Sequence, residues 1–171
     1  MNDSNSTLRE PVAALSPRIE AAGPLLIAGL RIPLDAQAAQ KIPQLWNEFV
    51  ASQHTLAQRV GEVNYGLCVH AHGYEYQYLA ACAVWDFNGL PDRFSAIVIP
   101  AQQYAVFAHR GSVANIKATI DFAFDQWLPD APYRHATGAE NTVHFFERYG
   151  EQFDPLTGTG DIEIWLPLLS Q

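Results

Sequence analysis

Apolar residues along the chain follow two distinct periods. From Arg18 to Leu34 they read as β-strand, interrupted at Ala22-Gly23-Pro24, and Leu25-Leu26-Ile27-Ala28-Gly29-Leu30 has the composition of a buried strand. Between residues 35 and 59 the period changes: Ile42, Leu45, Trp46, Phe49 and Val50 recur at i, i+3, i+4, i+7 and i+8, the stripe of a helix laid on a sheet. Two strands follow, 63–71 and 74–87, with His72-Gly73 as the turn of a hairpin. After Gly89-Leu90-Pro91 the pattern starts again, with strands at 94–99 and 103–109 and a bend at Pro100. Ser112 is a natural N-cap for a second helix, in which Val113, Ile116, Ile120, Ala123, Phe124 and Trp127 repeat near 3.6 until Leu128-Pro129. Residues 143–149 and 162–168 supply the last two strands, joined by a turn-rich stretch from Asp154 to Gly160.

The order strand, helix, strand, strand thus occurs twice, although the two halves barely match residue by residue. Two such units predict an α+β fold: one antiparallel sheet, both helices on one of its faces, and a ligand groove between the halves on the other. Residues 18–171 read as a single domain, and residues 1–17, polar and carrying Pro11 and Pro17, as a flexible arm.

Composition narrows the function. With 49% hydrophobic residues among 171, the chain has material for a full core. Its formal charge of -8 repels phosphate backbones, so a direct nucleic-acid partner is not expected, whereas a cationic ligand is favoured. No apolar stretch approaches the ~20 residues of a membrane helix, and the polar start lacks the features of a secretory signal, so the expected location is cytoplasmic. Cys68 and Cys82 lack metal-site spacing, His70 and His72 have no third ligand nearby, and Gly158-Thr159-Gly160 lacks the rest of a phosphate-binding loop. Neither a metal nor a cofactor is expected. A G-x-S-x-G elbow is missing too, which removes the most familiar hydrolase reading.

Candidate chemistry lies in the last two strands, where carboxylates stand among rings. By alternation, Val143, Phe145, Glu147 and Tyr149 share one face of their strand, and Glu163 and Trp165 share a face opposite Ile162, Ile164 and Leu166. A carboxylate there must be paired or hydrogen-bonded, and aromatic walls around it suit an amphipathic organic cation. The expected ligand-binding set is Glu147, Trp165, Tyr104, Trp46, Tyr149, Glu163 and Trp85.

Several segments, in order, strengthen this reading: Ile42-Pro43-Gln44-Leu45-Trp46-Asn47-Glu48-Phe49, Tyr65-Gly66-Leu67-Cys68, Tyr76 to Cys82, Ile99 to Gly111, Phe146-Glu147-Arg148-Tyr149 and Glu163 to Leu168. In that succession the chain resembles the AraC-type effector-binding, or GyrI-like, family over residues 18–168. The resemblance implies a duplicated fold with a ligand between its halves. It also implies that Glu147 matches the acid that meets small, often cationic or lipophilic molecules, and that Trp165 stands where an aromatic wall, usually Tyr, is found. The arm before Arg18 is too short for the DNA-binding helices of the family's regulators. Two alternatives stay open: a protein-interaction module acting on a partner such as gyrase, and a cofactor-free hydrolase of small electrophiles with Glu147 as general base and Tyr104 orienting the substrate.

Overall fold

The structure, a computed structural model, describes residues 16–72, 75–139 and 141–169. The proposed arm therefore lies, up to residue 15, outside the described residues, as does Gly73 of the proposed turn. Among the described residues there are eight strands: β1 Arg18–Ala22, β2 Leu25–Pro33, β3 Arg59–His70, β4 Tyr76–Val84, β5 Ser95–Ile99, β6 Gln102–His109, β7 Val143–Tyr149 and β8 Ile162–Leu168. Helix α1 is Ala38–Ser52. Helix α2 spans 116–130 and is wound as an α-helical segment Ile116–Asp121, a π-helical segment Phe122–Trp127 and a last turn Leu128–Asp130. A 3₁₀ turn, Val113–Asn115, leads into it from Ser112, whose Oγ accepts the Ala114 N–H, and the helix runs past Pro129, which falls in the final turn.

All pairs are antiparallel, in the order β1-β6-β8-β7-β3-β4-β2-β5. The two ends of that order are not independent. β1 and β2 are one strand kinked at Gly23-Pro24, β5 and β6 one strand kinked at Pro100-Ala101, and their pairing keeps one register across the kinks, from Arg18↔Val106 to Gly29↔Ser95. The sheet therefore curls until its edges meet, as an α+β fold with both helices on one face, the outer one.

Three apolar clusters follow from this geometry. The inner one draws on every strand of the ring, with Ile27, Leu67, Leu79, Ile99, Tyr104, Phe146 and Trp165 among its members. The outer ones are separate: α1 covers Ala28, Leu30, Tyr78 and Ala80 with Leu45 and Phe49, and α2 covers Ala105, Phe107, Ile164 and Leu166 with Ala123. The inner face is thus concave, as expected, yet filled for most of its length rather than left half exposed. Among the described residues, no helix is long and apolar enough to cross a membrane.

Candidate functional site

Register decides which face each candidate occupies. Leu30, Ala80, Gly66, Glu147, Ile164 and Phe107 pair successively across β2, β4, β3, β7, β8 and β6, so Glu147 stands on the outer face, at the seam between the parts covered by α1 and α2. Trp165 pairs with Phe146, one residue earlier on β7, and both point inward. The structure therefore separates Glu147 from Trp165, which the sequence places in one groove. Val143 also leaves the face of Glu147: a register shift between Cys68 and Val69 leaves His144 unpaired and turns Val143 into the inner cluster.

Glu147 is 6% exposed, and its environment is aromatic. Its Oε2 accepts hydrogen bonds from the hydroxyls of Tyr78, at 2.6 Å, and Tyr149, at 2.7 Å. Tyr78 in turn accepts the indole N–H of Trp46 from α1 at 3.1 Å. The Trp46 ring stands edge-on to Tyr149 at 5.4 Å, and Phe153 flanks Tyr149 at 4.9 Å. Gly66, opposite Glu147, makes the arrangement possible, because a Cβ there would overlap both the Tyr78 hydroxyl and Glu147 Oε2. Among the described residues, no ion pair reaches Glu147.

Burial pushes the Glu147 carboxyl above the ordinary carboxylate range, against the opposing pull of the two tyrosine hydrogen bonds. The same burial, with the neighbouring acid, raises the hydroxyls of Tyr78 and Tyr149 well above theirs. The nearby Cys68 thiol is pushed up to about 12, first by burial and then by the Glu147 charge, so it is no nucleophile at neutral pH. Both hydroxyls donate to Oε2, which leaves Oε1 with lone pairs for a further donor or a cation.

The remaining candidates fall elsewhere. Tyr104 and Trp165 line an inner cavity of about 300 Å³ at one mouth of the curled sheet, together with Tyr65, Phe146, Arg148 and the Gly23-Pro24 kink. Glu163, beside that mouth, binds Arg18 Nη1 at 2.7 Å and accepts the Trp165 N–H at 2.9 Å. Burial lifts its carboxyl, but the hydrogen bond and charge of Arg18, with Trp165 and Arg148, outweigh that and hold it below the ordinary range. Trp85 is 59% exposed just past β4 and joins neither group. Tyr78 and Gly66 belong to the Glu147 group although neither is in the ligand-binding set expected from the sequence. Their only signals were the strand alternation that buries Tyr78 and the glycine within Tyr65-Gly66-Leu67-Cys68. Among the described residues, no group of three or more His, Cys, Asp or Glu is placed to hold a metal ion.

Comparison with known proteins bears on the whole arrangement. The profile of the family described as Cass2, integron-associated effector binding protein, matches residues 18–168. The transcriptional regulator BrlR of Pseudomonas aeruginosa is 28% identical over 129 residues, which are 74% of this chain and 46% of BrlR, so the chain spans about half the length of that curated relative. Among solved structures, SAV2435 bound to tetraphenylphosphonium superposes with a TM-score of 0.71 at 18% identity, over 90% of this chain and 93% of that one. An integron cassette protein from the mobile metagenome of Vibrio cholerae gives a TM-score of 0.59 at 17% identity, over 90% and 96%. At these identities the two structures show the shared fold.

Proposed function

We propose that this chain, which belongs to the Cass2 family of integron-associated effector-binding proteins, takes an amphipathic organic cation as its small-molecule ligand, with Glu147 as counter-charge. The observation that carries this reading is a buried carboxylate surrounded by rings and given, among the described residues, no cation of its own. Leaving a carboxylate in such a place is costly unless its ionised form meets a partner, and a ligand can be that partner. Trp46, Tyr78 and Tyr149 present π-faces and edges that add cation–π attraction and apolar area. The structure of SAV2435 with tetraphenylphosphonium, a lipophilic cation, supports the same choice of ligand class.

In this reading the site opens on the α1 side. Trp46 holds Tyr78 through one hydrogen bond, and Pro43 inside α1 removes a helical N–H donor one turn earlier. The ligand displaces the Trp46 ring, exchanges that hydrogen bond for ring contact and draws Glu147 into its ionised form. Calorimetric titration with tetraphenylphosphonium tests the proposal on wild type and Glu147→Gln, which keeps the side chain's shape. The expected result is a loss of about 100-fold, the size of one desolvated charge contact. Equal affinity in the two proteins would sink the reading.

A further inference from the structure

We propose that the Glu147 site selects, among organic cations, those that carry N–H, so that its ligand class is the protonated aromatic amine and not the quaternary ammonium or phosphonium ion. This inference rests on the reading above, that Glu147 meets a cation, and adds what the cation must offer besides charge.

Donors and acceptors around Glu147 do not balance. Both tyrosine hydroxyls donate to the same oxygen, Oε2, at 2.6 and 2.7 Å, and among the described residues no donor reaches Oε1. Oε2 and the Tyr78 oxygen both press on the place that a Cβ of Gly66 would fill, so Oε1 is the oxygen that stands clear of β3. Burial, with the neighbouring acid, raises both hydroxyls well above their ordinary range. Both therefore stay protonated and keep Oε2 occupied while Oε1 stays open. A buried carboxylate oxygen without a hydrogen bond carries the cost of its lost hydration in addition to that of an unpaired charge. A quaternary cation offsets only the charge, whereas an N–H cation offsets both.

A second acceptor appears when the site opens. The Tyr78 oxygen accepts the Trp46 N–H at 3.1 Å while its own proton goes to Oε2. A ligand that displaces the Trp46 ring takes that donor away and leaves a lone pair unmet on a hydroxyl that is itself buried. The Tyr78 oxygen and Oε1 flank the same Oε2, near enough for one nitrogen with two N–H to bridge them. Affinity should therefore rise with the first N–H and again with the second.

The test is calorimetric titration of three probes that share the 4-phenylbenzyl group and carry trimethylammonium, dimethylammonium or methylammonium. They are titrated into wild type and Glu147→Gln at neutral pH, where both amines are protonated. Each added methyl makes the probe less hydrated and more apolar, so burial among rings by itself predicts that trimethylammonium binds tightest. The proposal predicts the reverse order. The first N–H is expected to strengthen binding about tenfold, the worth of a charge-assisted hydrogen bond, and the second about threefold, that of a neutral one. In Glu147→Gln the order should revert to that of apolarity, and comparison of the two proteins cancels the differing hydration of the probes. Trimethylammonium binding to wild type as tightly as the amines overturns the proposal, and that result needs no variant. Tetraphenylphosphonium separates the two readings. If it loses about 100-fold in Glu147→Gln while N–H brings no advantage, the counter-charge stands and the selection for N–H falls. If no cation depends on Glu147, both fall.

Discussion

Glu147 and Glu163 look alike in the sequence, each on a strand and each two residues before an aromatic ring, yet the fold gives them opposite lives. Glu147 faces outward beneath α1, receives only tyrosine hydroxyls among the described residues, and is held above the ordinary carboxylate range by burial. Glu163 stands at the inner mouth, is paired with Arg18, and is held below it. The difference teaches that aromatic neighbours do not define a ligand-seeking acid. What distinguishes the two is whether the fold has already supplied the counter-charge.

The largest effect that probes this contrast comes from the residue that makes Glu147's enclosure possible. A side chain at Gly66 must overlap the Tyr78 hydroxyl and Glu147 Oε2 at once, and both of those side chains are buried, which leaves them little room to swing aside. Gly66→Val is expected to destabilise the protein by about 3 kcal/mol, at the upper end for overpacking. Urea unfolding at unchanged m-value measures it, and a loss below about 1 kcal/mol would mean that the cluster is loosely held. Gly23→Val, at the open inner rim, is expected to change stability far less.

Much of this fold is legible in the chain. The 2.0 and 3.6 periods locate the strands and both helices, and Gly23-Pro24 and Pro100 mark the two kinks that let the sheet close on itself. The site is only half legible, for a physical reason. Alternation assigns residues of one strand to two faces, but it does not fix the phase between strands. Trp165 pairs with Phe146 and not with Glu147, so two odd-numbered residues on adjacent strands end on opposite faces. The bulge at His144 adds a second slip, sending Val143 inward while Phe145 and Glu147 stay outside. Tyr78 stays outside the expected ligand-binding set because burial is the usual fate of a strand tyrosine, and only the partner of its hydroxyl marks it as part of a site.

The pH dependence of the two acids sharpens the comparison. Because burial raises the Glu147 carboxyl, the folded chain keeps a proton that the unfolded chain releases earlier. The stability from that proton is complete at low pH and is lost as pH rises through the raised value. Cation binding needs the ionised form, so it must strengthen over the same window, by up to tenfold per pH unit below the raised value. Stability and cation affinity should therefore move in opposite directions, as read by thermal unfolding and by tetraphenylphosphonium titration, and Glu147→Gln should flatten both. Affinity independent of pH in the wild type would show that Glu147 is not the counter-charge.

Glu163 sets the lower end of the scale. Its folded carboxyl lies below the ordinary range, so its contribution to stability is present at neutral pH and is lost as pH falls through the depressed value, the reverse of Glu147. The pair it forms is partly open to solvent, since the Arg18 side chain is 48% exposed and Glu163 14%. Such pairs are worth about 1 kcal/mol or less. Glu163→Gln keeps a carbonyl oxygen for the Trp165 N–H and removes only the charge, so a thermal shift of a few degrees is the expected cost. Tetraphenylphosphonium affinity should be unchanged, because the charge removed lies on the other face of the sheet. If Glu163→Gln weakened the cation as much as Glu147→Gln, the two faces would not be separate sites, and the cation would be reading the field of the whole acidic chain instead of one buried carboxylate.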